Sequence, residues 1–356
     1  MAFTPHFWTS LVGSVPYSNG PDDISKWLVD GLDVPNWPQL PRRNFRESMY
    51  VQYSRALPSV CFDEVKEKVF FNIEEDLSNQ LENFYTNYLA DDLDAFGLTP
   101  DYASGFFAML KALEDQPVRD IPWVKGQVTG PISFGLTVTD QNLRASLYNE
   151  FLADVIVKNA AMNARWQIRL LKRVRPEVIL FVDEPYLASF GSAFISLQRE
   201  QVIDMLNEVF DAIHSEGAIS GVHCCANTDW SVLLATRVNV LNLDAYGFIE
   251  NLALYPKELK TFLERGGVIA WGAVPNNEMI FSSTPSGLAQ QLLEGFKHIQ
   301  HKAELRGVDI PVSSFTERSL LLPSCGLGAA TPEIANRVLR LLKDTGELLK
   351  AELPAG

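Results

Sequence analysis

A (β/α)8 TIM barrel is the fold this sequence predicts, and three observations predict it. Short β-type runs recur along the chain and alternate with helical patterns, which implies a parallel sheet. About eight such runs over 356 residues suit a barrel of ordinary size better than an open doubly wound sheet. No Gly-x-Gly-x-x-Gly follows the first run, so the dinucleotide-binding alternative lacks its fingerprint. The expected organisation is a single catalytic domain over 1–356, with an insertion or lid-like excursion over 16–60 after the first strand.

The β-runs end in unusual residues. "FWTSLVGS" (7–14) ends at Gly13-Ser14, and "WVKGQVTGP" (123–131) at a Gly-Pro. "EVILFVDEP" (177–185) ends at Asp183-Glu184-Pro185, "AISGVHCC" (218–225) at a His/Cys cluster, and "VNVLNLDAYG" (238–247) at Asp244 and its neighbours. "GGVIAWGAVP" (266–275) and "SLLLPSCG" (319–326) follow, and "NWPQLP" (36–41) is a candidate for one more. Between the runs, residues 151–173 carry apolar positions at helical spacing with a basic end. The 201–217 pattern closes on Gly217 as a C′ residue, and the last helix opens with Thr331 as N-cap and Pro332 at N1.

Composition narrows the function classes. Apolar residues make up 47% and charged residues 21%, as in a soluble globular enzyme. A net charge of −14 without any Lys/Arg run argues against nucleic acid. No run of about 18 apolar residues is present to span a membrane, and the first residues lack a secretory pattern. The cytoplasm is the expected location. Four cysteines in so long a chain are no disulfide framework, and grouped thiols there bind metal or do chemistry.

In a barrel, chemistry gathers at the C-terminal ends of the strands. Gly13-Ser14, Asp183-Glu184, His223/Cys225, Asp244 and Cys325 would therefore face one another. His223 and Cys225 are two apart on an extended strand end and point the same way, so both can grip one ion while Cys224 points elsewhere. Zinc takes imidazole and thiolate in a tetrahedron, Cys325 can add a second thiolate, and Asp244 an oxygen. Each residue also has a plainer reading. A lone cysteine is ordinarily a small buried hydrophobe, and a strand-end acid ordinarily caps the next helix. Cys224 and Cys61 are assigned to structure. Asp183-Glu184 can cap a helix, hold a substrate amine or move protons.

Taken together, the segments resemble the catalytic barrel of cobalamin-independent methionine synthase, within the superfamily that includes uroporphyrinogen decarboxylase. "SLVGSVP", "VKGQVTGPISF", "LFVDEPYL", "GVHCCAN" and "PSCGLGAATPEIA" follow the family's order from residue 9 to about 340. The resemblance implies zinc on His223, Cys225 and Cys325, with Asp244 standing where the family has a glutamate ligand. It implies substrate contacts from Gly13, Ser14, Asp183 and Glu184, with Asp183 also named as the catalytic acid residue. Homocysteine would be the methyl acceptor and methionine the product. Only the family's catalytic half is covered. "WGAVPNNEM" stands where the family carries its proton-donating histidine, and the folate-side aromatic segment after Pro131 is missing. The resemblance therefore points to methylcobalamin or a methylated corrinoid protein as donor, not to methyltetrahydrofolate. The alternatives are methyl transfer to another thiol such as coenzyme M, a metal-free decarboxylase using Arg42, Arg43 and Arg46, and a non-catalytic thiol or zinc sensor.

Overall fold

The computed structural model describes residues 3–74, 76–116, 122–192 and 195–353. Its strands are β1 (Trp8–Thr9), β2 (Val60–Asp63), β3 (Lys68–Phe71), β4 (Trp123–Thr129), β5 (Glu177–Asp183), β6 (Ile219–Cys224), β7 (Val240–Leu243), β8 (Val268–Val274) and β9 (Ser319–Pro323). Seven of them form one parallel sheet in the order β1-β9-β8-β7-β6-β5-β4. Strands β2 and β3 pair as a separate antiparallel hairpin.

The two edges of the seven-stranded sheet are joined by residues 34–39. Lys125 N–H donates to Pro35 O at 2.8 Å, and Trp37 N–H to Lys125 O at 3.3 Å. On the other side Gln39 N–H donates to Gly13 O at 3.1 Å, and Val15 N–H to Gln39 O at 2.9 Å. This segment is the eighth stave and closes the barrel, as "NWPQLP" foreshadowed. Pro35 and Pro38 lack the N–H that a regular ladder needs, so the pairing reduces to isolated bridges.

The 16–60 stretch thus divides. Its first part makes the helix Pro21–Gly31 and returns to the barrel through 34–39. Its second part leaves the barrel at Pro41, crosses the C-terminal ends of the strands as a strap over 41–50, and leads into the β2–β3 hairpin. The longer helices appear where periodicity placed them. Glu150–Leu171 and Arg199–Ser215 follow β4 and β5, Gly217 sits past the second at φ 64°, and Thr331 caps Pro332–Glu352 through Ile334 N–H. No helix among the described residues is long and apolar enough to cross a membrane.

Side chains alternate between two cores. Val12, Val34, Ile179, Phe181, Val240, Val268, Ala270, Leu320 and Leu322 fill the barrel, while Val178, Leu180, Val182, Val222, Leu241, Leu243, Ile269 and Leu321 face the helices. Cys224 belongs to the outer layer, so its neighbours His223 and Cys225 turn toward the barrel axis. Packing is tight at Gly221, where a Cβ would lie 1.9 Å from the Phe181 ring. Inside the barrel, above this layer, stands Lys125. Its ammonium donates to Val12 O at 2.6 Å and lies 4.5 Å from the Phe181 ring centre. Burial pulls it down to about 8, against the charge of Asp183.

Candidate functional site

The upper end of the barrel holds a cavity of about 480 Å³ lined by Ser14, Asp183, His223, Cys225 and Cys325 from the strand ends. The strap supplies its far wall, including Arg42, Glu47, Met49 and Tyr50. Five strand-end residues singled out in the sequence therefore do converge on one space.

His223, Cys225 and Cys325 form the compact group within it, their ligand atoms all within 4.8 Å of one another. His223 Nε2 lies 3.8 Å from Cys325 Sγ. Bond lengths of about 2.05 Å to nitrogen and 2.3 Å to sulfur at a tetrahedral angle would separate two such atoms by ~3.6 Å, so the spacing fits a shared zinc. The histidine tautomer agrees. Asn242 Nδ2 donates to Ala270 O at 2.6 Å, which turns Asn242 Oδ1 toward His223 Nδ1 at 2.5 Å. An amide oxygen there accepts only if Nδ1 carries the proton, leaving Nε2 with its lone pair toward the thiols. Asn242 went unnoticed in the sequence, although it lies two before Asp244 and pairs with His223 across β6 and β7.

The thiols share their protons unequally. Cys225 is lowered because the Cys325 thiol and His223 donate to it against its burial, and Cys325 is raised by the same bond. The pair thus readily offers one thiolate. His223 is lowered by burial, but its contacts with Cys225, Asp183 and Asn242 raise it overall. Cys224 is buried away from the cavity, its thiol donating to Ala226 O at 3.6 Å and pushed up to about 12 by burial. Cys61 lies in the β2–β3 hairpin.

Asp183 is 6% exposed, and its Oδ1 has no hydrogen-bond donor among the described residues. Burial pushes its carboxyl up to about 6, with His223 and Lys125 pulling it down. A buried carboxylate oxygen facing a cavity without a partner is a position a ligand can satisfy. Ser14 Oγ accepts Gly328 N–H at 3.2 Å, which leaves its own hydrogen to donate, and Gly13 contributes its carbonyl to the 34–39 pairing.

Glu184 and Asp244 are placed differently from the other acids. Glu184 is fully buried, and Ile132 N–H, Ser133 N–H and Ser133 Oγ–H donate to it at 2.9, 2.7 and 2.6 Å. Burial pushes it up to about 7 against those three bonds. A Cβ on Gly130 would lie 2.1 Å from its Oε1, so the Gly-Pro after β4 and the Asp-Glu-Pro after β5 form one latch. This latch fixes the turn that leaves Asp183 pointing inward. Asp244 caps the helix Ala245–Phe248 through Gly247 N–H at 2.9 Å and lies outside the three-residue group. Of the three arginines considered for a polycarboxylate, Arg43 pairs with Glu47 and Arg46 with Glu64. Only Arg42 lines the cavity, and its guanidinium donates to Gly328 O and Ala329 O.

Fold and site together define a (β/α)8 barrel with a buried His–Cys–Cys group at the C-terminal ends of its strands. The chain is similar in fold to the solved structure of a B12-independent methionine synthase from Shewanella sp. W3-18-1 in complex with selenomethionine. That match covers 97% of this chain and 98% of the other at 15% identity, with a TM-score of 0.56. It is also similar to the β-glycosidase of the hyperthermophile Thermosphaera aggregans, over 99% of both chains at 11% identity, with a TM-score of 0.48. No protein-family model and no curated protein matches the sequence. At these identities the likeness is one of fold.

Proposed function

We propose that this protein is a zinc-dependent S-methyltransferase that transfers a methyl group to homocysteine to form methionine. The observation that carries the reading is the site itself: a tautomer-fixed imidazole and two thiols within 4.8 Å, in one cavity with the unpartnered Oδ1 of Asp183. The fold likeness to a methionine synthase supports it. His223, Cys225 and Cys325 would hold the ion. Zinc, when bound, supplies the Lewis acidity that keeps a substrate thiol deprotonated and nucleophilic at neutral pH.

The chain's own residues orient the amino acid. Asp183 Oδ1 accepts from the substrate ammonium, and the Ser14 hydroxyl donates to its carboxylate. Holding both ends of the amino acid fixes where its sulfur lies and lowers the entropic part of the barrier. Lys125, beneath Asp183, favours its ionised form. Met49 and Tyr50 of the strap narrow the cavity's access to water.

Two alternatives lose support from the geometry. A polycarboxylate decarboxylase would need free guanidinium groups, and Arg43 and Arg46 are committed to Glu47 and Glu64. A sulfonate thiol such as coenzyme M would meet the uncompensated acid of Asp183.

The donor we propose is a methylcorrinoid, as methylcobalamin or on a carrier protein. A folate donor needs an acid to protonate its leaving group. Asn276, where the family's acid would stand, donates to Gly326 O at 3.2 Å and accepts from Ser324 Oγ at 3.1 Å. Asn277 caps the turn Glu278–Phe281. Cobalamin leaves as a stable anion and needs no such proton. The solved neighbour's name, B12-independent, runs against this donor, so the test must cross donors with thiols. Zinc-loaded protein should form methionine from homocysteine and methylcobalamin, with little product from coenzyme M or from methyltetrahydrofolate. Absence of methyl transfer to homocysteine from any of these donors would overturn the assignment, and turnover with the folate alone would overturn the donor.

A further inference from the structure

The strap carries an acid that no sequence motif marks. Glu47 is 0% exposed, yet it lines the same cavity as Asp183, Cys225 and Cys325. Its Oε1 is held from two sides, by Arg43 Nη1–H at 2.6 Å and by Ser104 Oγ–H at 2.8 Å. Its Oε2 has no donor among the described residues. The backbone is equally fixed. Asn44 caps the turn Phe45–Glu47 through Glu47 N–H, Thr129 Oγ1–H donates to Met49 O at 2.7 Å, and Arg42 ties the strap to Gly328 and Ala329.

An unpaired carboxylate oxygen in a dry wall is costly, and one held by two donors on its other oxygen cannot turn away to find water. The cavity therefore presents two such oxygens, Asp183 Oδ1 from the barrel and Glu47 Oε2 from the strap. A sphere of about 480 Å³ has a diameter of ~10 Å, so a ligand in it can touch both walls.

We propose that Glu47 is a specificity-determining residue that accepts a hydrogen bond from the ammonium group of the substrate, opposite Asp183. This deepens the function proposed above and rests on it. An ammonium has three donors, and two carboxylates on different walls select for it against thiols that carry no cation. Because one acceptor belongs to the barrel and the other to the strap, an amino-acid thiol bridges the two and a deaminated one does not. Arg43 stands behind Glu47, so the strap holds the acid charged without a second cation in the cavity.

The test is equilibrium binding of L-homocysteine and of its deaminated analogue, 4-mercaptobutanoate, by calorimetry on zinc-loaded protein. Wild type should prefer homocysteine. Glu47→Gln, which keeps the shape and the acceptor for Ser104, should cut that preference by about tenfold or more, the loss falling on homocysteine alone. Ser104→Ala leaves the charge but loosens its seat, and should cut the preference by a smaller factor, which keeps the test open should Glu47→Gln fold poorly. If wild type prefers homocysteine and both variants keep that preference intact, Glu47 does not read the amine while the functional assignment stands. If wild type binds the two thiols equally, no acid in the cavity reads an amine, and both proposals fall.

Discussion

Replacing Asn242 with leucine tests how the imidazole is prepared for metal. In the wild type a chain of two hydrogen bonds, 2.6 Å from Asn242 to Ala270 O and 2.5 Å from His223 to Asn242, keeps the proton on Nδ1. Leucine has nearly the same volume and no acceptor. The metal-free variant can move the imidazole proton to Nε2, where Cys225 or Cys325 accepts it, so that state loses little. The metal-bound variant cannot, because Nε2 is the ligand, and Nδ1–H is left buried without a partner. The penalty of about 1–3 kcal/mol for an unsatisfied buried donor therefore falls on the bound state. It agrees with the 10–100-fold loss typical when the partner of a ligating histidine is removed. The assay is competition for zinc against a chromophoric chelator, with a thermal melt of the metal-free protein as control. Asn242→Asp, which restores an acceptor, should recover most of the affinity. A leucine variant that melts normally and binds zinc within twofold of wild type would refute the argument.

Four further outcomes follow from the same geometry. Zinc content should fall in Cys325→Ser and stay unchanged in Cys224→Ser, since only Cys325 faces the cavity; full zinc in Cys325→Ser removes it from the site. Asp244→Ala should keep its zinc and lose about 0.5–2 kcal/mol of stability, the worth of a helix cap, and loss of metal would show that the carboxylate is a ligand after all. Gly221→Ala should lower the melting temperature through overpacking against Phe181, a cost of about 1–3 kcal/mol, and an unchanged melt would mean that the ring has room to move. The preference for homocysteine over 4-mercaptobutanoate should rise with pH through about 6, because Asp183 must lose its proton before it pairs with an ammonium, and a pH-independent preference would contradict that.

The regular strands were legible because their physics is local. Residues 177–183, 219–224 and 268–274 are nearly continuous apolar runs, as strands covered on both faces must be, and each stops at a polar or small residue where the barrel opens. The stave at 34–39 was visible only as a candidate, since Pro35 and Pro38 break the pattern that would announce it. The His-x-Cys spacing gave the correct facing of three residues, because alternation along a strand leaves no other choice for Cys224. Asp244 and Glu184 show where such reasoning stops. An acid that ends a strand and precedes a helix looks the same in sequence whether it faces a cavity or caps the turn, and only the three-dimensional path puts Ile132 and Ser133 under Glu184. Glu47 had no local signal at all. Its burial depends on Ser104, 57 residues further on, and on a strap whose course across the barrel mouth is fixed by Thr129 and by Gly328.

Zinc X-ray absorption, recorded with and without L-homocysteine, addresses the central claim most directly. The free protein should show about one zinc per chain with two sulfur ligands and the remainder nitrogen or oxygen, matching Cys225, Cys325 and His223. Homocysteine should add a third sulfur. A sulfur count that homocysteine leaves unchanged, or a protein that holds no zinc while His223, Cys225 and Cys325 are intact and reduced, would contradict the account.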